Sequence, residues 1–194
     1  MKDIAIVFAR APRLGTVKRR LARDIGARAA LRFHRRTLFR LLRALASDRR
    51  FDTVLALTPD SARLWLPARV GRIAQGHGDL GRRMDRAFRR YPRRRAAIIG
   101  SDIPAAGAAD LAAAFRALGR AQAVFGPATD GGYWLVGMGP RRPAHPFAAV
   151  RWSTVHALAD TRANFRGRRV TQLRPISDVD SAADWASLPT PWRY

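Results

Sequence analysis

DIAIVFA (residues 3–9) runs directly into RAPRLGTVKRRL (residues 10–21), and this junction decides the fold. A short apolar run rich in β-branched residues reads as a buried strand. Pro12 and Gly15 then end it, and the next residues read as a helix over 17–23, broken at Gly26. A strand that passes through a loop into a helix is the first unit of an α/β sheet.

The rest of the chain repeats the unit. Strands are expected at 53–58, 69–74, 95–100, 121–126 and 133–138, with 169–173 extended. Helices are expected at 27–46, 82–90, 108–118, 154–165 and 181–185. Leu31, Leu38, Leu41, Leu42 and Leu45 line one side of the long 27–46 helix. This alternation predicts a Rossmann-like α/β/α sandwich of three layers, with a mixed, mostly parallel sheet, in a single domain over 1–194. Ligands of such sheets bind beyond the carboxyl ends of the strands. The residues to inspect are therefore 10–18, 59–60, 76–81, 101–102, 129–132 and 178–180.

Composition narrows the class. The 194 residues are 47% hydrophobic, which excludes global disorder, and no apolar run is long enough to span a membrane. There is no cysteine and no signal-peptide pattern, so a cytoplasmic protein is expected. The net charge is +23, and Lys2 and Lys18 are the only lysines among the 37 basic residues. The arginines are spread along the chain rather than gathered into a patch or tail. That points to coding bias and a general attraction for anions, not to a specific nucleic-acid partner.

Several loops carry chemistry. In the first, Gly15 allows close backbone approach, while Arg10, Arg13, Lys18 and Arg19 supply cations near a helix start. Together they suit a di- or triphosphate. Pro12 and Thr16 belong to the same loop. The Walker pattern is absent. Residues 76–81 (GHGDLG) match G-x-G-x-x-G but follow a weak strand, so Gly78, Asp79 and Gly81 read as a turn or substrate loop rather than a dinucleotide fingerprint. Ser101 and Asp102 follow the best central strand. Asp102 offers hard oxygen to Mg²⁺ or Mn²⁺, or else caps the next helix. Asp130-Gly131-Gly132-Tyr133 is either a plain hairpin turn or a carboxylate beside aromatics that could hold a sugar or base. Asp178 and Asp180 have metal-site spacing, although Asp180 could instead cap a helix. Ser153 reads as a helix cap. His34 lies in an arginine-rich helix, and none of the four histidines has metal-like spacing.

The blocks FARAPRLGTVKRRL, QGHGDLGRRM, IIGSDIP, GPATDGGYWLVG, RWST and DVDSAAD occur in that order. From about Ile4 to about Trp185 the chain resembles the radical-SAM/selenodomain-associated transferases of the GT-A, or nucleotide-diphospho-sugar transferase, superfamily. More distantly it is similar to the guanylyltransferases of coenzyme F420 and molybdenum-cofactor synthesis. The resemblance implies nucleotide binding by the first loop, with Gly15 and Lys18 at phosphate. It implies Asp102 as the main divalent-metal ligand, completed by Asp178 or Asp180, and Asp130 in a substrate loop. Arg10, Leu14 and Arg19 replace the usual Lys, Pro and Thr of the family loop; Arg10 keeps the charge and can chelate phosphate.

The expected activity is a Mg²⁺- or Mn²⁺-dependent nucleotidyl transfer from a nucleoside triphosphate to a small acceptor, releasing pyrophosphate. The alternatives are glycosyl transfer from a nucleotide-sugar and a non-catalytic nucleotide-binding accessory protein. Lys18, Asp102 and Asp130 are the expected catalytic residues. The nucleotide side is Arg10, Pro12, Gly15, Thr16, Lys18, Arg19, Gly78, Asp79, Gly81 and Ser101. The acceptor side is Asp130, Gly131, Gly132, Tyr133, Trp152 and Ser153.

Overall fold

A computed structural model describes residues 1–189. Residues 190–194 of the expected 1–194 unit lie outside the described residues. The strands are β1 (Asp3–Arg10), β2 (Phe51–Thr58), β3 (Val70–Ala74), β4 (Ala96–Gly100), β5 (Ala123–Pro127), β6 (Tyr133–Met138) and β7 (Val170–Gln172). The helices are α1 (Arg19–Ile25), α2 (Ala27–Ser47), α3 (Leu80–Arg89), α4 (Ala108–Ala117), α5 (Ala157–Ala163) and α6 (Ala182–Ser187). All seven strands form one sheet in the order β3-β2-β1-β4-β6-β5-β7. Its pairings are parallel except where β6 meets β4 and β5, so the sheet is mixed and mostly parallel, as expected.

Strand alternation explains the three layers. On β1, Ala5, Val7 and Ala9 face one apolar cluster, and Ile4 and Ile6 face another, with Phe8 packed against it. The first cluster takes Leu38, Leu42 and Leu45 from α2 and Leu111, Ala114 and Phe115 from α4. The second takes Met84, Ala87 and Phe88 from α3, together with Phe147 and Phe165. A smaller cluster of Leu21, Ala30, Phe33 and Val179 ties α1, the start of α2 and the 178–180 segment together.

Local chemistry moved several boundaries. Helix α3 starts at Leu80, not at residue 82, because the Asp79 carboxylate accepts from the Arg82 N–H at 2.8 Å and caps it. Helix α5 is shorter than the expected 154–165 span, and its N-cap is His156. Ser153 is therefore not a cap; it is held at φ 61 in the preceding loop. Asp102 is not a cap either, since Gly107 occupies that position on α4. Asp180 likewise yields the cap of α6 to Ser181.

Leu42 has no exposed surface and sits where α2 meets the sheet. Leu42→Ala is expected to cost about 2–5 kcal/mol, from lost transfer energy and the cavity left behind. Urea denaturation would register this as a lower midpoint at unchanged slope.

Candidate active site

The sheet order reverses between β1 and β4: the chain goes from β1 to β2 on one side and returns through β4 on the other. Such a switch point opens a crevice at the strand ends. Phe8 pairs with Gly100, so the residues that follow the two strands emerge side by side. A cleft of about 630 Å³ lies there. Its walls include Arg10, Thr16, Lys18, Arg19 and Arg20 from the first loop and α1, and Gly78, Asp79 and Arg83 from the α3 entrance. Ser101 and Asp102 follow β4, and Ser153, Asp178 and Asp180 come from late segments.

Lys18 is the centre of the cleft. Its Nζ lies 2.9 Å from Asp102 Oδ2 and 2.9 Å from Asp180 Oδ1, and its side chain is 5% exposed. Burial alone would push its pKa down, but the two carboxylates outweigh that and hold it above the usual lysine value. The backbone of Lys18 is left-handed, at φ 45 and ψ 50, immediately before α1. A non-glycine residue there costs on the order of 1–3 kcal/mol. The bend turns the loop into α1 while the side chain stays buried between the carboxylates.

Asp178 stands in the same acidic neighbourhood. Burial, then the charge of Asp180, with smaller contributions from Asp102 and Asp130, raises its carboxyl to about 6; Lys18 opposes them. Asp130 is thus close enough to be felt but does not line the cleft.

Two residues that sequence reading did not place, His34 and Gln75, support the site, together with Asp60 from the inspected 59–60 turn. His34, on the buried face of α2, lines the cleft and bonds the Arg10 carbonyl through Nε2 at 3.1 Å. Burial lowers its pKa, against the pull of the Arg10 carbonyl and Asp102. A carbonyl only accepts, so Nε2 carries the proton. Gln75 is also buried and spends both side-chain N–H groups on the carbonyls of Ala9 and Ala56, at 3.1 and 2.7 Å. Gln75 itself lines the cleft. The Asp60 carboxylate accepts from the backbone N–H groups of Gln75 and Gly76 and fixes that loop. His34 was detectable as a polar residue on the apolar stripe of α2. Gln75 opens the QGHGDLGRRM block, but nothing in the sequence gave it a role.

Other expected site residues stand apart. Gly15 takes φ 74 in the exposed loop, which requires glycine, and with Pro12 it shapes the loop rather than lining the cleft. Gly81 is buried in α3 against Trp152 and Phe147, where a Cβ would lie 2.9 Å from the indole. Asp130-Gly131-Gly132 is the hairpin turn between antiparallel β5 and β6, and Asp130 accepts from the Gly132 N–H at 2.9 Å. A Cβ on Gly131 would fall 2.3 Å from the Val155 carbonyl, so the turn docks closely on the 151–156 loop. Tyr133 and Trp152 do not line the cleft: they pack edge-on in an aromatic cluster with Phe125 and Phe147. The Tyr133 hydroxyl accepts from Thr161, and burial pushes its pKa up.

The donor chemistry suits a hard divalent cation: Asp102, Asp178 and Asp180 supply carboxylate oxygens to one cleft. Yet among the described residues no three ligating side chains converge as a metal site. Where Asp102 with Asp178 or Asp180 was expected to hold a metal, the Lys18 ammonium lies between Asp102 and Asp180.

The family model described as "Uncharacterized protein conserved in bacteria (DUF2064)" matches residues 41–154. No curated protein matches the chain in sequence. Among solved structures, the chain is similar to a presumed nucleotide-diphospho-sugar transferase from Desulfovibrio desulfuricans G20. That match has 30% identity and a TM-score of 0.85, and covers 93% of this chain and 84% of that one. It is similar in fold to the 4-diphosphocytidyl-2C-methyl-D-erythritol synthase of Anaerococcus prevotii DSM 20548, at 11% identity and TM-score 0.61, covering 94% of each chain. A third match is Rv0371c of Mycobacterium tuberculosis H37Rv in complex with manganese, at 15% identity and TM-score 0.50, covering 95% of this chain and 97% of that one.

The Asp178 carboxyl gives a pH-dependent prediction. Its folded pKa of about 6 lies above its ordinary 3.8, so ionising it costs the fold stability as pH rises through that interval. Asp178→Asn is expected to leave stability unchanged near pH 3.5. At pH 7.5 it should add about 1 kcal/mol, a value discounted for the solvent screening of a half-buried group. Urea denaturation at both pH values tests this; an equal difference at each would refute it.

Proposed function

The chain belongs to the DUF2064 family, and from that premise we propose that it transfers a nucleotidyl group from a nucleoside triphosphate to a small acceptor. The observation that carries the reading is the switch-point cleft itself, where Lys18, Arg10, Arg19, Arg20 and Arg83 face a group of aspartates. Five cations in one crevice match a polyphosphate, and the walls suit a small molecule rather than a polymer.

In the proposed reaction an acceptor oxygen attacks the α-phosphorus in line. The new P–O bond forms as the α–β bridging bond breaks, and pyrophosphate carries away the electron pair. Arg10 and Arg83 offer planar guanidinium donors to non-bridging oxygens, and Lys18 adds a point charge. The rate comes from positioning and charge neutralisation. His34 holds the start of the phosphate loop through the Arg10 carbonyl, and Gln75 offers an acceptor to a base N–H. Ser153, in the cleft wall, would contact the acceptor, and Asp130, outside that wall, would act on it through its charge. Asp102 and Asp180, with Asp178 beside them, would hold Mg²⁺ or Mn²⁺, which when bound neutralises charge on phosphate oxygens.

Glycosyl transfer from a nucleotide-sugar is the second reading. It is favoured by the similarity to the Desulfovibrio nucleotide-diphospho-sugar transferase. The same cleft would then hold the diphosphate leaving group.

The reading is tested by thermal shift with nucleoside triphosphates and nucleotide-sugars, with and without Mn²⁺, followed by product analysis. A ligand at 100-fold over its Kd adds about 2.7 kcal/mol, and each kcal/mol moves Tm by roughly 2–4 °C. The expected result is a shift of several degrees with one triphosphate, lost in Asp102→Ala, and release of pyrophosphate once the acceptor is supplied. Release of a nucleoside diphosphate would select glycosyl transfer. No shift with either ligand class would overturn both readings.

A further inference from the structure

We infer that Lys18 is a built-in exclusion device: its ammonium keeps a divalent cation off Asp102 and Asp180 until the phosphates of the nucleotide draw it away. The inference rests on the nucleotide-transferase reading and extends it to the order in which the site is filled.

Three observations meet here. First, the Lys18 ammonium uses the very oxygens a divalent cation would need, Asp102 Oδ2 and Asp180 Oδ1, each at 2.9 Å. A metal bound to that pair would have to share it with a positive charge a few ångströms away, in a pocket where Lys18 is almost wholly buried. Second, this occupancy is held in place by the fold. Lys18 adopts a left-handed backbone at the entrance to α1. Val179, buried between the two late aspartates, packs in the cluster that includes Leu21 of α1. The lysine and its carboxylates therefore ride on segments that are packed together. Third, the alternative partner would bind close by. Arg10, Arg19 and Arg83 line the same cleft as the ammonium, and Arg20 lies 3.5 Å from the other Asp180 oxygen. An ammonium has three donors, and the carboxylates use two, so it can turn toward a polyphosphate without leaving the cleft.

The consequence is ordered loading. Without nucleotide, Lys18 satisfies the carboxylates and the metal affinity is low. With nucleotide, Lys18 follows the phosphates, and the carboxylates are freed for a cation that arrives with, or after, the nucleotide. The lysine thereby keeps a bare divalent ion from filling a site that lacks substrate.

The test measures Mn²⁺ binding to the folded protein in the absence of nucleotide, by loss of the aqueous Mn²⁺ electron paramagnetic resonance signal. Wild type should bind weakly. Lys18→Met should bind at least about tenfold more tightly, and Lys18→Met combined with Asp102→Asn should return to weak binding. Lys18→Arg keeps a cation in place and should stay weak, which separates exclusion from a general loosening of the loop. Circular dichroism melts establish that each variant is folded. The inference is overturned if Lys18→Met binds Mn²⁺ no better than wild type, or if wild type alone already binds as tightly as the variant. Because no nucleotide is present, this outcome is independent of whether the protein proves to bind a triphosphate. A gain in Lys18→Met alongside no nucleotide shift would sustain the exclusion and remove the transferase reading.

Discussion

The structure turns on a single buried ammonium. Asp102 follows the central strand β4, and Asp180 comes from a segment 78 residues later in the chain. Brought to one crevice, they would repel each other, and the Asp178 carboxyl beside them is raised by its burial and then by the charge of Asp180. Lys18 resolves the conflict by lying between them. Desolvating an ammonium is costly, and a buried ion pair holds only where the geometry is good and further hydrogen bonds are made. Both conditions are met, at the cost of a left-handed backbone at residue 18. The first loop, the end of β4 and the 178–180 segment thus depend on one contact set, which is also the set a polyphosphate would disturb.

Most of the fold was legible because its signals are local. The β-branched run of β1, the leucine stripe of α2 and the strands at 95–100 and 133–138 all come from side-chain periodicity, and the structure has each of them. Placing the site at the carboxyl ends of β1 and β4 followed from strand–helix alternation alone. Boundaries were less legible where a cap decided them. Asp79 starts α3 two residues early, because its cap rests on a hydrogen bond that periodicity does not report, and α5 begins only after His156, whose side chain makes no cap bond.

The site was legible where residue type implies charge and obscure where it depends on packing. Arg10, Lys18, Asp102, Asp178 and Asp180 meet as cationic and acidic residues at strand ends should. Tyr133, Trp152 and Gly81 did not join them, because two large aromatics beside a glycine can equally be core, and here they pack together. Gln75 escaped notice because a buried amide is identified only by its partners, the Ala9 and Ala56 carbonyls. The arginine excess also has a structural side. Arg142 caps the end of α3 through the carbonyls of Phe88, Tyr91 and Arg94, and Arg86 holds those of Gln75 and His77. These guanidinium groups serve the fold, and they show why counting arginines overstates the free positive surface.

The most direct measurement is a crystal structure with a nucleoside triphosphate analogue that cannot be cleaved and Mn²⁺, using the anomalous signal to locate the metal. The account predicts the triphosphate in the cleft at the ends of β1 and β4, the metal on Asp102 and Asp180, and the Lys18 ammonium moved onto phosphate. A triphosphate bound elsewhere, with Lys18 still bridging Asp102 and Asp180, would contradict it.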